Sequence, residues 1–549
     1  MSPRVNGEFF GSSHSWNGEM MIALVPSATL LGTVGSPVTV EVHVSTGLPG
    51  FTVVGLPDAG VRESRDRVRA ALLSCELPWP SRRITVNLAP CHVRKGGAGL
   101  DLPIAIGMLV ASGVLPARSA KGLAFVGELG LDGTIRHVPG AIALADAAGG
   151  TTLVVPMSDV EEASIVRSGF VRGASTLSEL VSAMKGDAPW PRYDSSLVHE
   201  GRGRTQLSTG ESSRSTSSDA DPGGGYDLAD VVGQRVGRRA LEVAAAGGHH
   251  LLMVGPPGSG KTMLAQRIAG ILPKLSHRDA LEVSRIHSAA GVRLPRGGLV
   301  STPPFRAPHH SASCVALVGG GSWPMRPGEI SMASHGVLFL DEMGEFPASV
   351  LDALRQPLEE GVVRVSRARS TVEFPAHFQL VGAMNPCPCG EGVTQGACRC
   401  TRSARARYAR RLSAPLLDRF DLVVPLTRVD PGELVKGRVG ESTSDVAARV
   451  RNAREMSVGR GVKCNAELKP GELEEFASLR PVANGLLERC LETGRVSARG
   501  FHRIRRVART IADLDSSETV EERHVAEALA LRAARGSFMV GELASTTHG

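Results

Sequence analysis

No stretch of this 549-residue chain approaches 18 uninterrupted apolar positions, about the length a helix needs to cross a bilayer. The nearest run, LPIAIGMLVASGVLPA after Asp101, is shorter and contains Pro103, so it reads as a buried helix of a soluble domain. The N-terminus, MSPRVNGEFFGSSHSWNGE, lacks the apolar core of a signal peptide, and a cytoplasmic, membrane-free protein is expected. Cysteines number only nine, and in a reducing compartment they exclude a disulfide framework. Nor is there a large charge excess: +7 over this length permits an anionic partner without demanding one.

What is present divides the chain. Apolar residues make up 42%, enough for about three or four domain cores. Residues 1–20 read as an unstructured extension, with Met20 or Met21 as alternative starts. Residues 21–185 alternate β-rich stretches such as VTVEVHVS with apolar helical ones. Residues 186–225, rich in Gly, Ser, Arg and Asp, cannot bury enough apolar surface to order themselves and form a linker. Next come an α/β core over 226–428 and a helical region over 429–549, the former opening with a helix predicted from Val236 to Ala246.

The core carries the strongest chemical signal. LLMV runs into GPPGSGKTM, a strand, a glycine-rich turn and a helix start. Gly255, Pro256, Pro257, Gly258, Ser259, Gly260, Lys261, Thr262 and Met263 are the expected nucleotide contacts. At Gly255, Gly258 and Gly260 a bare backbone can wrap phosphate. Lys261 supplies a charge to the β- and γ-phosphates and Thr262 a hydroxyl to Mg²⁺, while the new helix aims its positive end at the same place. ATP and Mg²⁺ are therefore the expected cofactors. HGVLFLDE at 335–342 is the acidic complement: a buried parallel strand delivers Asp341 to the magnesium shell and Glu342 to water activation at its carboxyl end. HFQLVGAMN ends in Asn385, which can reach the γ-phosphate or the water if its strand lies between the other two. By spacing alone Asn385 equally starts a turn before Pro386. Arg419, in LLDRFDLVV, cannot easily reach its own phosphates; it either serves a neighbouring chain or forms a surface pair with Asp418.

These segments, with DLADVVGQ, PFRAPHHSAS, LVGGGSWPMRPGEISMASHGVLFLDEMGEF, LRQPLEEGVV and AMNPCPCG, resemble the YifB/ComM group of magnesium-chelatase-like AAA+ ATPases from about Ile22 to Arg535. The resemblance implies a ring, expected to be a hexamer, with Asn385 as sensor 1, Arg419 as a finger acting in trans and Arg499 as sensor 2. It also implies a helix-2 insert around 288–330 and a hairpin before sensor 1. The C-terminal periodicity agrees with a helical lid: Phe501, Ile504, Ala508 and Ile511 recur at helical spacing, Ser497 can cap that helix, and Thr519 with Glu522 forms a capping box. On propensity alone, Arg499 in that first turn is a solvated side chain.

Residues 21–185 are similar to the proteolytic domain of the Lon protease, whose nucleophile is a Ser/Lys dyad. Here Ile104 stands in the serine place, and no lysine occurs between Lys121 and Lys185. The domain is expected to be a non-proteolytic scaffold.

Cys387, Cys389, Cys398 and Cys400 form C-x-C-x8-C-x-C, which either surrounds one structural Zn²⁺ or leaves four unliganded thiols; zinc more often uses C-x-x-C. The adjoining RCTRSARARYARR sets Arg399, Arg402, Arg405, Arg407, Arg410 and Arg411 around Tyr408. This is either a phosphate-gripping surface with an aromatic for stacking, or a solvated helix face. VVRVSRARSTVEF reads as a hairpin with Arg367 and Arg369 at its tip, which in a ring faces the pore. The resemblance thus implies a sequence-independent DNA motor, a helicase driving branch migration of forked or branched DNA as incoming DNA is integrated. The alternatives are a magnesium-chelatase-type ATPase assisting metal insertion and, disfavoured by the missing dyad, an ATP-dependent protease.

Overall fold

The computed structural model describes residues 22–193, 226–295, 298–321, 323–367, 370–391, 398–432 and 440–533. The N-terminal extension, linker residues 194–225, Arg369 and residues 534–549 lie outside the described residues. The described residues form two compact units, the first built mainly from residues 22–193 and the second from most of residues 226–533.

In the first unit, strands Ile22–Leu31 and Val34–Ser45 pair antiparallel, Arg83–Ala89 joins antiparallel, and Gly50–Val54 adds in parallel. From Val38 to Ser45 buried and part-buried positions alternate, so one face of the pleat carries Val38, Val40, Val42 and Val44 into the core. Helix Asp101–Ala111 packs on this sheet. All its residues are buried, Ile104 fully, as expected for the apolar run that is too short to cross a membrane. A separate parallel sheet has the order Leu123–Phe125, Thr152–Pro156, Val171–Ala174.

The second unit is a five-stranded parallel sheet in the order Phe305–Arg306, Val337–Leu340, Gln379–Met384, Leu251–Val254, Leu422–Pro425. Its central strands are buried throughout and, apart from Gln379, carry no polar side chain, the signature of strands covered on both faces. Helix Arg235–Gly247, matching the predicted one to a residue at each end, packs against this sheet with helix Lys261–Ile271. The C-terminal helices Thr443–Gly459, Pro481–Glu492, Ala498–Leu514 and Glu522–Ala530 share its core through Val446, Leu487, Ile504, Ile511 and Val525. Ser497 caps its helix by accepting the Gly500 amide. The last helix starts later than expected: Glu521 is its N-cap, and His524 Nδ1 accepts the Glu521 amide at 3.1 Å. Thr519 is therefore outside the capping box, because a histidine two positions beyond Glu522 takes over the glutamate's part. Strands Val362–Arg367 and Ser370–Pro375 form the expected hairpin, with Arg367 opposite Ser370.

Candidate functional site

The strand order places three loops at one edge of the sheet. Because Gln379–Met384 lies between Leu251–Val254 and Val337–Leu340, Asn385 emerges beside the P-loop. Its Oδ1 stands 3.3 Å from Lys261 Nζ. The loop itself is tightly seated: a Cβ at Gly255 would fall 2.6 Å from the Leu426 carbonyl, and Gly258 and Gly260 have φ of 76° and 82°, values that side chains rarely adopt. Pro256 and Ser259 are buried, whereas Pro257, Gly258, Thr262 and Met263 are exposed. Lys261 opens the helix after the loop and donates to the carbonyls of Gly255 and Pro256 at 2.8 and 2.9 Å. Burial lowers its pKa, opposed by the charges of Asp341 and Glu342.

Thr262 Oγ1 donates to Asp341 Oδ2 at 2.6 Å, while Asp341 Oδ1 accepts the Glu342 amide at 2.8 Å. The hydroxyl and carboxylate are thus together, a pair of hard oxygens suited to Mg²⁺. Glu342 itself is exposed, with a left-handed backbone at φ 48°. Its Oε2 lies 3.3 Å from His310 Nδ1, and the His310 ring leans on His309 with centroids 4.1 Å apart. Spacing did not single out His310, since its partner is remote in sequence. Gln234 was missed for the same reason. Held at φ 47°, it donates to the carbonyls of Ser259 and Thr427 at 2.8 and 2.6 Å, tying DLADVVGQ to the loop.

The Arg419 side chain is only 13% exposed, so it is not a solvated surface arginine. Its guanidinium is largely covered and ion-paired with Glu359. Burial, together with the charges of Arg503, Arg499 and Arg355, depresses its pKa. Arg499 is exposed in the first turn of its helix, so both arginines belong to one cationic cluster. Arg503 holds the Arg419 carbonyl and Asp421 Oδ1, each at 2.8 Å.

The four cysteine sulfurs lie within 4.8 Å of one another. Cys387 is 3.2 Å from Cys389, and both stand 3.7 Å from Cys398. Sulfurs around a tetrahedral Zn²⁺, each about 2.3 Å from the metal, stand about 3.8 Å apart; the donor set fits such an ion. Burial pushes the Cys387 thiol up to about 12. At Cys389 burial also opposes ionisation, but the Glu391 amide and neighbouring thiols donate to it and bring it down to about 6.

From Cys400 the chain enters helix Arg402–Ala409, capped by Thr401. Arg399, Arg402, Arg407 and Arg410 are exposed and Arg405 is half-buried. Tyr408 is not available for stacking. It is 5% exposed and so close to Gly344 that a Cβ there would lie 2.5 Å from its hydroxyl. Burial raises its pKa to about 12 although the Asn385 backbone hydrogen-bonds it. An aromatic surrounded by arginines in sequence turned out to be the helix's one inward anchor. Arg367 is exposed on the hairpin.

In the first unit Ser64 donates to Asp101 at 2.5 Å, alongside Arg67 at 2.6 Å, and the buried Lys95 ammonium donates to the Pro90 carbonyl.

Three family models match this chain: magnesium chelatase subunit ChlI over residues 227–434, a further ChlI model over 40–159, and the ChlI C-terminal part over 440–532. The competence protein ComM of Haemophilus influenzae is 43% identical over 517 residues, covering 94% of this chain and 98% of that protein. The protein YifB of Escherichia coli is likewise 43% identical, over 94% of this chain and 97% of its own length. More distantly, the DNA replication licensing factor Mcm6 of Drosophila pseudoobscura pseudoobscura is 22% identical over 295 residues, 51% of this chain and 32% of that protein. With near-complete coverage at this identity, the chain belongs to the YifB/ComM family of magnesium-chelatase-like AAA+ ATPases.

Proposed function

We propose that this protein is a ring-forming, ATP-hydrolysing DNA motor, a hexameric helicase that promotes branch migration as incoming DNA is integrated. The P-loop amides and Lys261 would grip the phosphates, and Thr262 with Asp341 would hold Mg²⁺, which neutralises charge on the β- and γ-oxygens when bound. Glu342 orients the attacking water, with His310 as its neighbour and Asn385 aligning from the central strand. Arg419, with Arg499 beside it, completes the site of an adjacent chain. Residues 21–185 serve as a Lon-like scaffold without a dyad, 186–225 as a linker, 226–428 as the ATPase core and 429–549 as a lid.

The observation that carries the nucleotide reading is the meeting of Lys261, Thr262, Asp341 and Asn385 within hydrogen-bond reach across three strands. DNA binding is supported by the exposed arginines of 399–410 and by Arg367, which suit a sequence-independent phosphate grip. The cysteine cluster is read as a structural Zn²⁺ site. Two relatives point the same way by name, one to competence and one to DNA replication licensing. Comparing ATP turnover with forked DNA, four-way junctions, single strands and no DNA tests the reading: branched DNA should stimulate most, and indifference to all DNA would contradict it.

The three chelatase-subunit models favour a second reading, an ATPase assisting magnesium insertion into a porphyrin. That activity has no need of the cysteine centre or the arginine helix. A protease is disfavoured, because Ile104 is buried in a helix while Ser64 and Lys95 each have other partners.

A further inference from the structure

The cysteine centre is built onto the nucleotide loop at several points. Cys387 is buried two residues beyond Asn385, whose side chain meets Lys261. Three residues further, Gly390 is at φ 80°, and a Cβ placed there would lie 2.5 Å from Pro257 Cδ, so the turn at Gly390 rests directly on the P-loop. Gly390 is held in that turn by its own amide, which donates to the Cys387 carbonyl at 3.0 Å. The next residue, Glu391, pairs with Arg428 at 2.5 Å. Arg428 adjoins Thr427, whose carbonyl shares Gln234 with Ser259 of the P-loop. From the other end, Cys400 leads through the Thr401 cap into the helix whose Tyr408 packs on Gly344 and bonds the Asn385 backbone.

We infer that this four-thiol centre is a control site for the ATPase: a bound thiophilic, tetrahedral cation fixes Gly390 against Pro257 and Asn385 beside Lys261, and its loss weakens nucleotide binding without any DNA present. This rests on the zinc reading proposed above and extends it from a loop-pinning role to regulation of the nucleotide site. The physical reason is that an ion joining Cys387, Cys389, Cys398 and Cys400 closes a glycine-containing loop, removing conformational freedom that would otherwise be frozen on nucleotide binding. A phosphate loop held ready binds more tightly than one that must be ordered.

The test uses the full chain. Zinc content is measured by elemental analysis, and affinity for a fluorescent ATP analogue is measured before chelation, after chelation and after adding Zn²⁺ back, all without DNA. Cys398→Ser with Cys400→Ser is run in parallel. Gly390→Ala keeps the four thiols but forces the turn off Pro257. About one zinc per chain is expected, with roughly tenfold or greater loss of nucleotide affinity on removal, recovery on re-addition, and a comparable loss in Gly390→Ala that retains zinc. If zinc is present but both its removal and Gly390→Ala leave affinity unchanged, the control role is wrong and the structural metal site stands. If the protein neither contains nor takes up Zn²⁺, the metal reading fails and the control role with it.

Discussion

Two lysines, each beside a glycine in sequence, face opposite fates. Lys95, in RKGGAG of the first unit, is buried and donates to the Pro90 carbonyl, and burial lowers its pKa. Lys261, in GSGKT of the second, is also held down by burial, but Asp341 and Glu342 face it, and it opens a helix at the carboxyl edge of a parallel sheet. Under the proposed function, a glycine-flanked lysine becomes a phosphate ligand only where strand order adds acidic groups, a helix start and room for an anion.

The sharpest way to break that contrast is to remove each ammonium. Lys261→Ala should abolish measurable ATP binding and turnover. Lys95→Met should leave ATP affinity unchanged and move the melting temperature by only a few degrees, since an apolar side chain of similar length replaces a buried cation. Calorimetric titration and thermal unfolding check both, and an ATP defect in Lys95→Met would erase the distinction.

A smaller effect is expected at the arginine helix. Replacing Arg405, Arg407 and Arg410 together should weaken DNA binding across all sequences and lower the salt slope by about 2 to 3, one counterion-releasing contact per arginine. An unchanged slope from titrations at several salt concentrations would make this run a solvated surface.

Smaller still is a pH effect next to the P-loop strand. Burial lowers the His250 pKa to about 4, and His250 Nδ1 accepts the Leu380 amide. Burial opposes ionisation of Asp421, but the His249 ring 3.6 Å away and the charge of Arg503, which donates to Asp421 Oδ1 at 2.8 Å, outweigh it and depress its pKa. Both groups bind protons less readily when folded, so their stabilisation is present at neutral pH. It is lost on acidification, for His250 between about 6.5 and 4. Melting temperature should fall by several degrees from pH 7 to 5, and His250→Asn should flatten that dependence.

The loop glycines and the acidic strand end were legible because each is local: a strand, a turn and a short list of residue types. Asn385 stayed open between a phosphate contact and a turn, because its place beside Lys261 depends on the order of the strands. Tyr408 was misjudged because charge density along the chain does not tell which helix face turns inward. His310 beside Glu342 and Gly390 on Pro257 are contacts between segments remote in sequence, created by strand order and by a turn that no periodicity announces.

The central claim is that each catalytic site is shared between chains, and subunit mixing tests it most directly. Arg419→Ala alone should bind ATP but turn it over roughly 10³ to 10⁵ times more slowly; Lys261→Ala should not bind it. Mixed rings place an intact Arg419 from one chain beside an intact P-loop from another. Turnover should then rise above that of either protein and depend on total concentration. If mixed rings form and the mixture stays as inactive as its components, Arg419 does not act in trans and the shared-site account is wrong.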